Sequence, residues 1–495
     1  MDLPQDFALL LVICASCLFL YLRLKRFWTC QNFPPGPTPL PLLGNILEIK
    51  LGGMVNSVMK LREKYGDVFV IYLGSRPIVI VTGYKLVKEI YLDSGDDFIN
   101  RGIIPCWQPF YKDHGLVFTR NVERWRELRR FSMSILRDFG FGKRSAEERI
   151  QEEASWLVEE LKKTQESFFD PWHCVSKAIG NIIFSIMFGN HHEYEDKDMD
   201  NVLSYINETF LIICSSWGQM YDTLPWLMRY IPGRHHKIKH LLKKLSHFVE
   251  TRVQINLKTL DPNNPRDYVD AFLIKLDKEK ANPDSEFNMK NLLACTLQIF
   301  FAGVDTVNTT LIYSLLILLK YPDVLAKVHD EIDHVIGRLR SPTVQDRNNM
   351  PYTEAVIHEM QRFTELAPLG FPRATTKEVK INGYTLPKDI DVFPILTSVL
   401  NDPSCFKYPK EFNPENFLNE KGQFQKNNAF MPLAAGKRNC IGEPLVRMEL
   451  FLFFVTILQN FNLKSPVPRE ELDLTPNVSG LLNFPKPYKV AFIPR

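Results

Sequence analysis

Cys440 carries the densest chemical signal in the 495-residue chain. It stands in Phe430-Met431-Pro432-Leu433-Ala434-Ala435-Gly436-Lys437-Arg438-Asn439-Cys440-Ile441-Gly442-Glu443-Pro444, with a glycine on each side and an arginine close before it. Glycine permits a tight turn and a close backbone approach to a flat partner. The apolar run 445–459 predicts a long helix, so the thiol sits just ahead of a helix N-terminus. Free N–H groups and the positive end of the helix dipole favour a thiolate there. Such a thiolate is a metal ligand or a nucleophile. An isolated cysteine is more often a small buried hydrophobe; the spacing of glycine and arginine lifts this one out of that class.

Three further segments hold polar residues that need a reason. Phe300-Phe301-Ala302-Gly303-Val304-Asp305-Thr306 places a glycine, an acid and a hydroxyl in the middle of an apolar helix. Glycine there costs about 1 kcal/mol, and a buried acid must find a partner. Glu359-Met360-Gln361-Arg362 puts opposite charges on one helix face, which alone means only a weak surface pair. Arg124-Trp125-Arg126-Glu127-Leu128-Arg129-Arg130 reads first as a solvated helix face.

Taken together, W-x-x-x-R, A-G-x-D-T inside a helix, E-x-x-R and G-x-R-x-C-x-G before a helix, in this order along the chain, resemble the cytochrome P450 family. The resemblance implies haem b as cofactor, with the Cys440 thiolate as the axial iron ligand. It implies that Arg101, Trp125, Arg129, Arg373 and Arg438 hold the ring and its two propionates. Gly303 would leave room for dioxygen, Thr306 would hydrogen-bond the bound oxygen, and Asp305 would relay protons. Glu359 and Arg362 would form a structural ion pair. Its third member, in the segment 409–417, is most often arginine in the family and is Asn416 here. Leu433 replaces the family's aromatic residue, Val307 replaces a Thr or Ser, and Asp389 stands where a glycine usually follows Lys388.

By the same resemblance the substrate pocket is lined from the 101–118 loop, the 205–217 region, Phe301, Ala302, Ala367, Phe371 and Leu481. These residues are mostly apolar and suit a lipophilic molecule. The implied activity is a monooxygenase of the vertebrate microsomal family 2 type, acting on a xenobiotic, fatty acid or steroid. Electrons would come from NADPH through cytochrome P450 reductase, and the resemblance also admits cytochrome b5. Arg126, Arg130 and Lys437 would form a basic patch for an acidic electron donor. A haem-thiolate peroxide isomerase and a non-catalytic haem-binding sensor are the rivals; intact Thr306 and Asp305 argue against both.

These residues need rigid elements to carry them. Helical periodicity over 146–163, 235–258, 286–320, 323–337 and 441–460 predicts a mainly α (α+β) body. The central helix should be capped by Asp284 and Ser285 and run to Pro322. Two strands are expected within 67–82, a hairpin at Asn382-Gly383, and a strand-like segment over 488–494. The composition is ordinary for a globular chain, at 45% hydrophobic, 24% charged and 12% aromatic, which excludes disordered, collagen-like and disulfide-scaffold classes. A formal charge of +3 excludes nucleic-acid binding through bulk charge. Nine cysteines, without a repeated C-x-x-C pair, favour a reducing compartment.

The run 7–22 is uncharged and is followed by Arg23, Lys25 and Arg26. The positive-inside rule then predicts a signal anchor over 1–28 with the body on the cytosolic side, and the resemblance implies that the membrane is that of the endoplasmic reticulum. A Pro-rich hinge over 29–45 and one catalytic domain over 46–495 complete the expected organisation.

Overall fold

The computed structural model describes residues 33–140, 144–189 and 197–495. The expected anchor, 1–28, lies outside them. The longest helix, Met289–Lys320, is apolar almost all round and runs through the main core. Its length and composition would suit a membrane span, yet the body encloses it. It ends before Pro322, which disfavours helix in the residue preceding it. Its start differs from expectation. Asn288 is the N-cap, accepting from the Asn291 N–H, while the Ser285 hydroxyl donates to Glu279 at the end of the preceding helix.

The helix Trp172–Phe188 packs across the middle of the central helix. The helix Glu443–Asn460, after the cysteine, packs against both Arg144–Lys163 and the central helix. The other expected helices are His235–Lys258, Pro322–Val335 and, carrying Glu359, Pro351–Thr364.

One five-stranded sheet sits beside this helical body. Strand Val68–Leu73 pairs antiparallel with Arg76–Val81 through a tight turn at Gly74. Arg76–Val81 pairs in parallel with Asp391–Pro394, which pairs antiparallel with Arg373–Ala374. The edge pair Asn100–Arg101 completes the sheet and sets Arg101 directly opposite Arg373. The expected hairpin forms, with Asn382 and Gly383 both at positive φ. The last strand, Ala491–Pro494, pairs with Phe461–Lys464.

Two sequence peculiarities gain physical accounts. Asp389 has φ +64°, a left-handed conformation in which glycine is the easy choice and Asp a tolerated one. Its carboxylate also faces Arg120 at 3.4 Å. From Phe33 onward the Pro-rich segment is hydrogen-bonded to the sheet and to itself. Pro35 accepts from the Val70 N–H, and Asn45 bonds both the Tyr72 backbone and the Pro37 carbonyl.

Candidate active site

Between the cysteine loop and the central helix lies a cavity lined mostly by apolar side chains. Cys440 and Leu433 form one face, and Ala302, Thr306, Val307 and Thr310 the opposite one.

The loop is shaped for its thiol. Gly436 has φ +74°, and a Cβ there would lie 1.9 Å from the Tyr91 carbonyl oxygen. Glycine is obligatory at that position. Gly442 differs: its φ is ordinary, and an added Cβ would meet Cys440 Sγ at 3.8 Å, plain contact distance. The Cys440 N–H donates to Leu433, closing the turn. Burial raises the thiol pKa, while the Gly442 and Glu443 N–H groups and Arg129 pull toward thiolate. Among the described residues no cysteine is in a disulfide, and Cys440 alone lines the cavity.

Arg101, Arg129, Arg373 and Arg438 converge on one side of this cavity from a strand pair, a helix and the cysteine loop. Arg101, Arg373 and Arg438 are buried. Among the described residues none of the four makes an ion pair. Arg438 donates to the carbonyls of Ile99, Leu116 and Thr119, Arg101 to that of Val117, and Arg129 to Asn439 Oδ1. Arg373 Nε has no hydrogen-bond partner. Burial and mutual repulsion depress the pKa values of Arg101 and Arg438 strongly and hold that of Arg373 at about 10. Buried cations without anions are costly. This cluster fits a ligand bringing two carboxylates, as haem does. Trp125 stacks on Arg438 at 4.3 Å and fixes its plane.

Helical phase separates the residues of the central helix. Ala302, Thr306 and Thr310 share the cavity face at i, i+4 spacing. The Thr306 hydroxyl donates to the Ala302 carbonyl at 2.7 Å, leaving its lone pairs toward the cavity. Val307 also lines the space, and Thr310 supplies the next hydroxyl one turn on. Asp305 points elsewhere. Its carboxylate is buried against Asn207 Nδ2 at 3.3 Å, and burial pushes its pKa up to about 7. Gly303 does not open the cavity as expected. A Cβ there would lie 2.7 Å from Ile183 Cδ1, so its missing side chain admits the helix Trp172–Phe188.

Glu359 and Arg362 behave as a structural pair. Both are fully buried, joined by two 2.7 Å hydrogen bonds, with Arg362 also donating to the Leu400, Pro409 and Glu411 carbonyls. Asn416 Nδ2 reaches both Glu359 oxygens, replacing a charged third member with a neutral one. The basic patch is partly neutralised, since Arg126 pairs with Glu123 and Lys437 with Asp96.

Of the expected pocket residues, Ala302, Ala367 and Phe371 line the cavity, joined by Phe210 from the 205–217 region. Phe301 does not. It lies beneath Trp107 and Phe210, with ring centroids 5.0 and 4.3 Å away. Leu481 turns into a neighbouring smaller cavity, and Leu482 takes its place. Tyr91, Asn439 and Gln298 carry no motif signal; only the folded chain brings them to the site.

The family model for Cytochrome P450 matches residues 34–492. The chain is similar to Cytochrome P450 2G1 of Oryctolagus cuniculus, 48% identical across 100% of both chains. It is also similar to Cytochrome P450 2A10 of the same species, 47% identical over 99% of this chain and 98% of the relative. Cytochrome P450 2B2 of Rattus norvegicus is 48% identical over 94% of each. A thiol loop, a cation cluster fitted to a dianionic ring, and relatives aligned end to end lead to one assignment: the chain belongs to the cytochrome P450 family and is a haem-dependent monooxygenase.

Proposed function

We propose that this enzyme inserts one oxygen atom into a lipophilic small molecule, a xenobiotic, fatty acid or steroid. Electrons would come from NADPH through cytochrome P450 reductase, with cytochrome b5 as a second donor. The observation carrying the reading is the convergence of Cys440, the four arginines and Thr306 on one largely apolar cavity. Bound there, haem supplies dioxygen activation and one-electron chemistry. Cys440 provides the sulfur ligand, and Arg101, Arg129, Arg373 and Arg438 neutralise the propionates. The Thr306 hydroxyl faces the reaction space, and Asp305 behind it holds or releases a proton near neutral pH. Phe210, Ala367, Phe371 and Leu482 exclude water and orient an apolar substrate.

The body rests on the endoplasmic reticulum membrane, tethered by the run 7–22. Leu42, Leu47, Trp226 and Tyr230 are exposed apolar residues, and the two segments bearing them adjoin where Gly74 meets the Thr223 and Leu42 carbonyls. Such a face suits the membrane interface.

The test combines NADPH, reductase and a panel of fatty acids, steroids and drug-like amines. Oxygenated product is expected; peroxide rearrangement without reductase would sink the monooxygenase reading. Cys440→Ala should abolish the red-shifted Soret band of the reduced carbon monoxide complex. Topology has its own readout. Of the sequons at Asn207, Asn308 and Asn477, Asn308 is fully buried and Asn207 holds Asp305, so only Asn477 is exposed enough to report. A glycan at Asn477 would refute the cytosolic orientation.

A further inference from the structure

Two amide side chains on one face of the central helix, Asn291 and Gln298, clasp the loop 114–117. Gln298 is buried, and its Oε1 accepts from both the Leu116 and Val117 N–H groups at 2.7 Å. Its Nε2 donates to the His114 carbonyl at 3.1 Å. Gly115, at φ +81°, lies so close that a Cβ would stand 2.6 Å from both amide atoms. Asn291, two turns earlier, accepts from the Gly115 N–H and faces His114 Nδ1, both at 3.1 Å.

The carbonyls of the same two residues serve the cofactor side. The Leu116 carbonyl accepts from Arg438 Nη1 at 3.3 Å, and the Val117 carbonyl accepts from Arg101 Nε at 2.8 Å. One amide oxygen therefore anchors the Leu116–Val117 peptide, whose carbonyl holds Arg438, and the next carbonyl along the chain holds Arg101. Hydrogen bonds in such chains polarise one another, and a shift at one end is felt at the other.

We propose that Gln298 is a positioning residue for the cofactor: by fixing the backbone at Leu116 and Val117 it sets where Arg438 and Arg101 stand, and so controls haem retention and reduction potential. This rests on the reading that the arginine cluster takes the haem propionates. Gln298 touches neither motif nor metal ligand, and a glutamine facing away from solvent carries no sequence signal of such a role.

The test uses the full-length, haem-loaded chain and three variants, Gln298→Ala, Gln298→Asn and Asn291→Ala. Three quantities are read: amide exchange at Leu116 and Val117, the rate of haem transfer to excess apomyoglobin, and the ferric–ferrous midpoint potential. Gln298→Ala should accelerate haem loss about tenfold or more and shift the potential. Gln298→Asn, a milder change that keeps the test decisive if the alanine variant does not fold, should move both in the same direction by less. Asn291→Ala frees only the upstream half of the loop and should leave both within about twofold of the parent. The inference is overturned if amide exchange at 116 and 117 speeds up in either Gln298 variant while haem loss and potential stay unchanged. It is equally overturned if Asn291→Ala moves them as much, since general loop order would then suffice. A parent chain that takes up no haem would overturn the arginine-cluster reading itself, and this inference with it.

Discussion

Arg373→Leu should stabilise the chain without haem and weaken its grip on haem, two effects of opposite sign from one substitution. Arg373 stands opposite Arg101 in the strand pair, buried, and its guanidinium contact among the described residues is the Tyr91 ring, 5.1 Å away. Burial, followed by repulsion from Arg129, holds its pKa at about 10 against an ordinary 12.5, with Tyr91 opposing. That depression amounts to ~3 kcal/mol of unfavourable free energy in the haem-free fold. The folded value is the lower one, so the cost is complete below about pH 10 and fades as pH rises toward 12.5. Losing the ring contact offsets about 1 kcal/mol, which leaves a gain of ~2 kcal/mol at pH 7. In the loaded protein the same change removes a cation from beside two buried carboxylates, a loss of about 2–5 kcal/mol. Haem affinity should fall at least ~30-fold, since 1.4 kcal/mol is tenfold. Urea denaturation of the haem-free chain and haem transfer to apomyoglobin measure the two halves. A haem-free variant less stable than its parent would refute the reasoning, because Arg373 would then be a fold element, not an unpaid cation awaiting an anion.

Other outcomes follow from individual contacts. Asp305 has its pKa raised to about 7 by burial, so the stability it costs is absent below about pH 4 and complete above pH 7. Asp305→Asn should raise the melting temperature at pH 8 and leave it unchanged near pH 4, a difference of at most ~4 kcal/mol; parallel profiles would contradict this. Gly303→Ala gains about 1 kcal/mol of helix propensity but sets a methyl 2.7 Å from Cδ1 and 3.0 Å from Cγ1 of buried Ile183, overpacking that costs about 1–3 kcal/mol. Its stability should fall by about 1 kcal/mol while substrate-binding spectra stay near the parent's, whereas a strong loss of oxygen binding at unchanged stability would restore the expected role over the iron. Gly436→Ala meets the Tyr91 carbonyl and adopts a left-handed φ, so it should cost more than about 2 kcal/mol and yield haem-poor protein on purification.

Much of the fold was legible because it is local. Apolar periodicity marked the central helix, and Pro322 marked its end. Its start was misplaced by a few residues because Asp284, Ser285 and Asn288 are all competent caps, and the choice among them depends on how the preceding turn packs. Asn382-Gly383 announced its hairpin through its own backbone preference. The role of Asp389 was opaque until its left-handed φ was seen. Leu481 and Leu482 show the limit at a strand-like segment: adjacent side chains face opposite ways, and only packing decides which one meets the cavity.

By itself the sequence determined the thiol, the glycine that lets its loop turn, and the i, i+4 spacing of Ala302 and Thr306. Each depends on spacing within one element, where covalent geometry sets distance and direction. Only the tertiary structure decided the electrostatics. Arg101, Arg129, Arg373 and Arg438 come from segments up to 337 positions apart, and no local rule says that four cations meet without an anion. It also decided that Gly303 serves helix packing and that Asp305 lies behind the reaction face, not on it. Helical phase is written in the chain; what each face meets is set by the neighbours that close around it.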